Sequence, residues 1–97
     1  MASPGERLTQ RSGIETRPLP HGALLVDLNT GRCYRLNRVG AEIWTLLQRP
    51  LVLDDVCAAV AKKYDDAGAT VEGDVRALVA QLLKERLLVE SPQEATR

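Results

Sequence analysis

Apolar positions in this chain first alternate and then fall into a helical stride, and the change of period comes at Asn37 without loop residues between the two. Upstream, Ile14 to Leu19 alternates loosely and runs into Pro18, Pro20 and Gly22, which predicts a short edge strand closed by a turn. Ala23 to Leu28 and Arg32 to Leu36 are two strand-like runs around Asn29-Thr30-Gly31, the pattern of a hairpin. A period of two puts Leu24, Val26 and Leu28 on one face of the first run. It puts Tyr34 and Leu36 on one face of the second, with Cys33 and Arg35 pointing the other way.

From Asn37 onward Val39, Ile43, Leu46 and Leu47 keep the spacing of one helical face. Asn37 suits an N-cap, because its side-chain oxygen can accept a backbone N–H that the first turn leaves without a partner. Gly40 costs helix propensity by about 1 kcal/mol relative to alanine, so its place in that turn implies that another backbone or ring passes close by. A second helix fits Leu53 to Tyr64, with Leu53, Val56, Cys57, Val60 and Tyr64 on one face and Asp54 and Asp55 at its start. A third runs from about Val71 to Glu85 on the stripe Val71, Val75, Leu78, Val79 and Leu82, with Thr70 as its expected cap, and Leu87 to Val89 reads as a short extended end. The fold class expected is α+β and winged helix-turn-helix-like, a three-stranded antiparallel sheet followed by three helices. Residues 1–12 read as a disordered N-terminal tail, 13–90 as the folded domain and 91–97 as a flexible C-terminal tail.

Composition narrows what such a domain does. The 97 residues are 44% apolar, without phenylalanine and with one tryptophan, so one aliphatic core forms with Trp44 as its largest side chain. Thirteen basic and thirteen acidic residues leave no net charge to draw a phosphate backbone. The exposed positions expected on helix three, Glu72, Asp74, Arg76, Gln81, Lys84 and Glu85, are mixed in sign where a DNA-reading helix needs a basic stripe. A winged-helix DNA-binding or regulatory protein therefore stands as the alternative from another class.

Chemistry is sparse. His21 sits alone between Pro20 and Gly22 with no group to orient it as a base, and Asp54/Asp55 and Asp65/Asp66 read as a helix start and a solvated loop. Cys33 and Cys57 have neither the spacing nor the companions of a zinc site or a disulfide framework, so no metal, cofactor or catalytic residue is expected. Two reduced thiols and the lack of an apolar signal segment or membrane span indicate a cytoplasmic protein that is not an enzyme. What remains is the strand ending at Leu36, whose edge could accept an extended peptide. The same edge could be capped by the chain's own N-terminus or by a dimer partner, and the pattern alone does not choose.

The segments "LVDLNTGRCYRLNRVGAEIW", "LDDVCAAVAKKYD" and "DVRALVAQLLKERLL" resemble the PqqD family, the small proteins also called RiPP recognition elements. Leu36-Asn37, Gly40, Ile43-Trp44 and Asp74-Val75, in this order and spacing, carry the likeness, which runs from about Ala23 to Val89. The resemblance implies a noncatalytic protein that binds the leader of a ribosomally made precursor peptide as an added strand beside helix three and delivers it to modifying enzymes. Carried to matching positions, the peptide-binding residues would be Cys33, Tyr34, Arg35 and Leu36 on the strand and Asp74, Val75, Ala77, Leu78 and Gln81 on the helix. Arg35 and Arg76 would pair with acidic leader residues, and Tyr34 and Leu78 would either line an apolar pocket or belong to the plain core. The setting favoured is lasso peptide maturation, with a leader peptidase and a cyclase as partners. The alternative is a peptide chaperone for a radical SAM enzyme, as in pyrroloquinoline quinone assembly. A monomer or weak dimer is expected, with no nucleic acid and no membrane as partners.

Overall fold

The computed structural model describes residues 7–63 and 69–91. In chain order these form β1 (Arg7–Gln10), β2 (Ile14–Leu19), β3 (Gly22–Asp27), β4 (Cys33–Asn37), α1 (Arg38–Leu46), β5 (Leu51–Val52), α2 (Leu53–Lys63), α3 (Ala69–Lys84) and β6 (Leu88–Ser91). The expected three-stranded antiparallel sheet is β2-β3-β4, with β3 in the centre, and three helices follow it. A second antiparallel sheet of order β5-β1-β6 is added to that plan.

The first sheet turns one face to the helices. Ala23 stands opposite Leu36 and Leu25 opposite Tyr34, and Ala23, Leu25 and Leu36 are buried. Leu24 and Val26, which share the other face with Arg35 and Cys33, are only half-buried, and Leu28 beyond the strand end is 63% exposed. Gly22 is required where β3 begins, since a Cβ there would stand 1.9 Å from the Leu36 carbonyl oxygen.

The core face of β3 ends on a charge. Asp27 is 3% exposed; its carboxylate accepts from Arg11 Nη2 at 2.6 Å and, through Oδ1, from the Asn29 backbone N–H at 2.9 Å. Arg11 also donates to the Arg86 carbonyl, so this ion pair ties the hairpin to the end of α3. Burial pushes the Asp27 carboxyl up, but the backbone bonds of Asn29 and Thr30 and the Arg11 guanidinium outweigh it and hold the pKa below the ordinary 3.8. A depressed carboxylate stabilises the fold fully above its unfolded pKa, and that contribution disappears as pH falls through the folded one. Thermal melts should therefore show the parent protein more stable than Asp27→Asn at neutral pH, with the gap closing below about pH 3.9.

The expected tail 1–12 needs correction over Arg7–Gln10, which is strand β1 with Leu8 fully buried. Its partners are remote: Arg7 and Leu8 pair with Val52 and Leu51, and Arg7 to Gln10 with Ser91 to Leu88. The same segment satisfies carbonyls that the end of α1 leaves free. Thr9 Oγ1 and the Gln10 N–H both donate to the Leu47 carbonyl, and Gln10 Nε2 donates to that of Trp44 at 2.7 Å. With one apolar residue in four, the strand leaves no alternation to read. The tails 1–6 and 92–97, and Tyr64 at the expected end of helix two, lie outside the described residues.

Asn37 caps α1 as expected, accepting from the Gly40 N–H at 2.8 Å. Trp44 is buried in the core, and its indole N–H donates to Thr16 Oγ1 of β2 at 2.8 Å. Helix α3 begins at Ala69, so Thr70 lies inside it and is not the cap. At its other end the Arg86 N–H bonds to the Leu83 carbonyl and the Leu87 N–H to that of Leu82, the Schellman pattern, with Arg86 at φ 63 in the left-handed position where glycine is usual. Arg86→Gly should raise stability by about 1 kcal/mol in a denaturant titration, because a side chain in that conformation costs about 1–2 kcal/mol.

Candidate functional site

Strand β4 is an edge. It pairs with β3, and among the described residues nothing pairs with its other side; Arg7–Gln10 of the N-terminal segment, one of the caps weighed for this edge, pairs with β5 and β6 as β1. The ladder fixes which groups stay free. The Asp27 N–H donates to the Arg32 carbonyl at 2.9 Å, and antiparallel bonding alternates from there, so Leu25–Tyr34 and Ala23–Leu36 exchange the hydrogen bonds. Cys33 and Arg35 turn their N–H and C=O outward. The four strand residues named from sequence thus divide: Cys33 and Arg35 offer backbone, while Tyr34 and Leu36 offer side chains toward the helices.

Helix α3 runs beside this edge and is held there at two points. Leu36, Gly40 and Leu78 meet at one: a Cβ on Gly40 would lie 3.3 Å from both Leu36 Cβ and Leu78 Cδ2, so aliphatic side chains, not the backbone or ring expected, stand against the glycine. At the other, Tyr34 OH donates to Glu85 Oε1 at 3.3 Å, with Arg32 3.9 Å from the same oxygen and Gln81 Nε2 donating to Oε2 at 3.1 Å. Leu78 is half-buried, and Asp74, Ala77 and Gln81 are exposed. On the strand side Tyr34 is half-buried and Leu36 is buried, so the seam between strand and helix presents Tyr34 and Leu78 beside the exposed Asp74, Ala77 and Gln81.

Two sequence assignments change. Val75 is 0% exposed and belongs to the core, since it lies on the stripe with Val71, Val79 and Leu82, so it cannot touch a ligand. The Arg76 guanidinium binds Glu72 of its own helix at 3.0 Å and Asp54 of α2 at 3.2 Å, and is not placed to meet acidic groups beside β4. Arg35 keeps that role, exposed and with no side-chain bond among the described residues. Glu85 was missed. Its 51-residue separation from Tyr34 hides the contact, and the only local sign is its i,i+4 relation to Gln81.

The surroundings hold little chemistry. His21 Nδ1 lies 3.0 Å from Arg38 Nη2, so that nitrogen accepts from a cation, and among the described residues no carboxylate orients the ring. Among the described residues no three His, Cys, Asp or Glu side chains could hold a metal, and no helix is long and apolar enough to cross a membrane. Cys33 is exposed, whereas Cys57 is buried and burial pushes its thiol up from 9.0. A thiol reagent at neutral pH should modify one cysteine of the native protein quickly, Cys33, and reach Cys57 only after denaturation.

The profile of the PqqD family, coenzyme PQQ synthesis protein D, matches residues 22–88. The chain belongs to this family. Two solved structures share its fold. TbiB1 in complex with the TbiA(beta) leader peptide is 26% identical with a TM-score of 0.71, over 82% of this chain and 93% of that one. Lasso peptide synthetase B1 complexed with the leader peptide is 27% identical with a TM-score of 0.67, over 88% and 98%. No curated protein matches the chain in sequence. The PqqD match opens at Gly22 and closes at Leu88, so it takes in the β3-β4 hairpin, its junction with α1 and the whole of α3, and leaves β1 outside.

Proposed function

We propose that this PqqD-family protein is a RiPP recognition element that binds the leader of a ribosomally made precursor peptide as a fourth strand on β4. The observation that carries the reading is the open edge of β4, with Cys33 and Arg35 presenting unpaired backbone beside α3. An extended leader would complete the ladder there, lay alternate side chains over Tyr34 and Leu78, and set acidic groups against Arg35. Strand and helix are already joined before any ligand arrives, by the packing at Gly40 and by the Tyr34–Glu85 hydrogen bond, which supports a preformed site. Ordering is then paid by the leader alone.

The protein itself carries out no reaction in this reading. It hands the precursor to modifying enzymes, and the leader-bound lasso synthetase B1 proteins favour a leader peptidase and a cyclase over a radical SAM partner. Fluorescence anisotropy with a labelled cognate leader of about a dozen residues should give a Kd between micromolar and nanomolar, about −8 to −12 kcal/mol. A duplex DNA of similar size should not bind at low salt. DNA binding with no response to the leader would reverse the assignment.

A further inference from the structure

Helix α3 separates two open strand edges. On its other flank lies β6, which pairs with β1 and, among the described residues, with nothing else. The Arg11 N–H donates to the Leu87 carbonyl at 2.9 Å, so by alternation Thr9 and Val89 exchange ladder bonds while Leu88 and Glu90 turn their backbone groups outward. Along this edge runs a cleft of about 1000 Å³ with Leu53, Val79, Leu83 and Leu88 among its apolar lining. Val89, at its lip, is 40% exposed.

The charge around the cleft is one-sided. Arg11, Arg76, Lys84 and Arg86 line it against the single acid Glu90, in a chain that is neutral as a whole. Arg11 and Arg76 are held by Asp27 and by Glu72 and Asp54, but the side chains of Lys84 and Arg86 bond to nothing among the described residues. Unpaired strand backbone over an apolar floor suits a peptide better than a polyphosphate.

We propose that β6 is a second docking edge, which takes an extended aliphatic segment rich in acidic side chains from a protein partner by strand addition at Leu88 and Glu90. This site is separate from the β4 edge and stands whether or not β4 binds a leader; both can be filled at once because α3 lies between them.

The test is an NMR titration of the full-length, nitrogen-15-labelled protein with a synthetic hexapeptide, acetyl-Glu-Val-Asp-Leu-Glu-Val-amide, and with its counterpart carrying lysine at the acidic positions. The acidic peptide should shift the amides of Leu83, Leu88 and Glu90 saturably and leave Cys33 and Arg35 in place, and the lysine peptide should not. The double variant Lys84→Glu, Arg86→Glu should weaken binding at least tenfold, and Glu90→Pro should abolish it with the remaining spectrum kept. Equal response to both peptides, shifts confined to β4, or no shift would overturn the proposal. So would light scattering that shows a dimer with the β6 amides already protected.

Discussion

Replacing Arg35 by proline is expected to remove leader capture from a protein that still folds. The Arg35 N–H points away from β3, so its loss breaks no ladder bond, and edge strands tolerate proline at such positions. An added strand would lose that donor, a net of about 0.5–1.5 kcal/mol, and would meet the pyrrolidine ring where its own backbone must lie. Together these should weaken binding at least a hundredfold, about 2.8 kcal/mol. Tyr34→Pro is the contrasting variant: its N–H belongs to the pair with Leu25, so proline there should disrupt the sheet itself. Anisotropy with the leader, alongside far-ultraviolet circular dichroism, separates the two. A folded Arg35→Pro protein that binds as tightly as the parent would place the leader elsewhere.

Trp44→Ala should be the most damaging single truncation to stability. Trp44 heads the fully buried side chains, and its indole N–H fastens α1 to Thr16 of β2. Removing so large a buried side chain costs about 3–5 kcal/mol, against a total of about 5–15 kcal/mol for a domain. Denaturant unfolding followed by circular dichroism should place the variant's midpoint far below the parent's, with partial unfolding at 37 °C. A loss under about 1 kcal/mol would mean that the surrounding aliphatic residues collapse into the space.

Much of this architecture is legible in the sequence because its elements announce themselves locally. The switch of period at Asn37, the Gly31 turn and the stripe through Val71, Val75, Val79 and Leu82 each lie within one element, and each is found where it was read. β1 was not legible, since Leu8 is its one apolar residue and its stability comes from strands more than forty and more than seventy positions away. The edge strand was readable as a place but not in detail. Alternation assigned Cys33 and Arg35 to the outer face, yet whether these two or Tyr34 and Leu36 present backbone to the free edge depends on the hydrogen-bonding phase, set by the Asp27–Arg32 bond. Val75 was misplaced for a related reason: a helical stripe shows which residues are apolar, not where the core ends and the seam with β4 begins. Leu78, on that same stripe, is only half-buried and packs at Gly40 beside Leu36.

The central claim, that β4 receives the leader through its backbone, is tested most directly by hydrogen exchange at single amides. In the free protein Tyr34 and Leu36 should exchange slowly and Cys33 and Arg35 fast. Saturating cognate leader should slow Cys33 and Arg35 by at least tenfold and leave β6 unchanged. If calorimetry registers leader binding while those two amides keep their free-state rates, strand addition at β4 is contradicted.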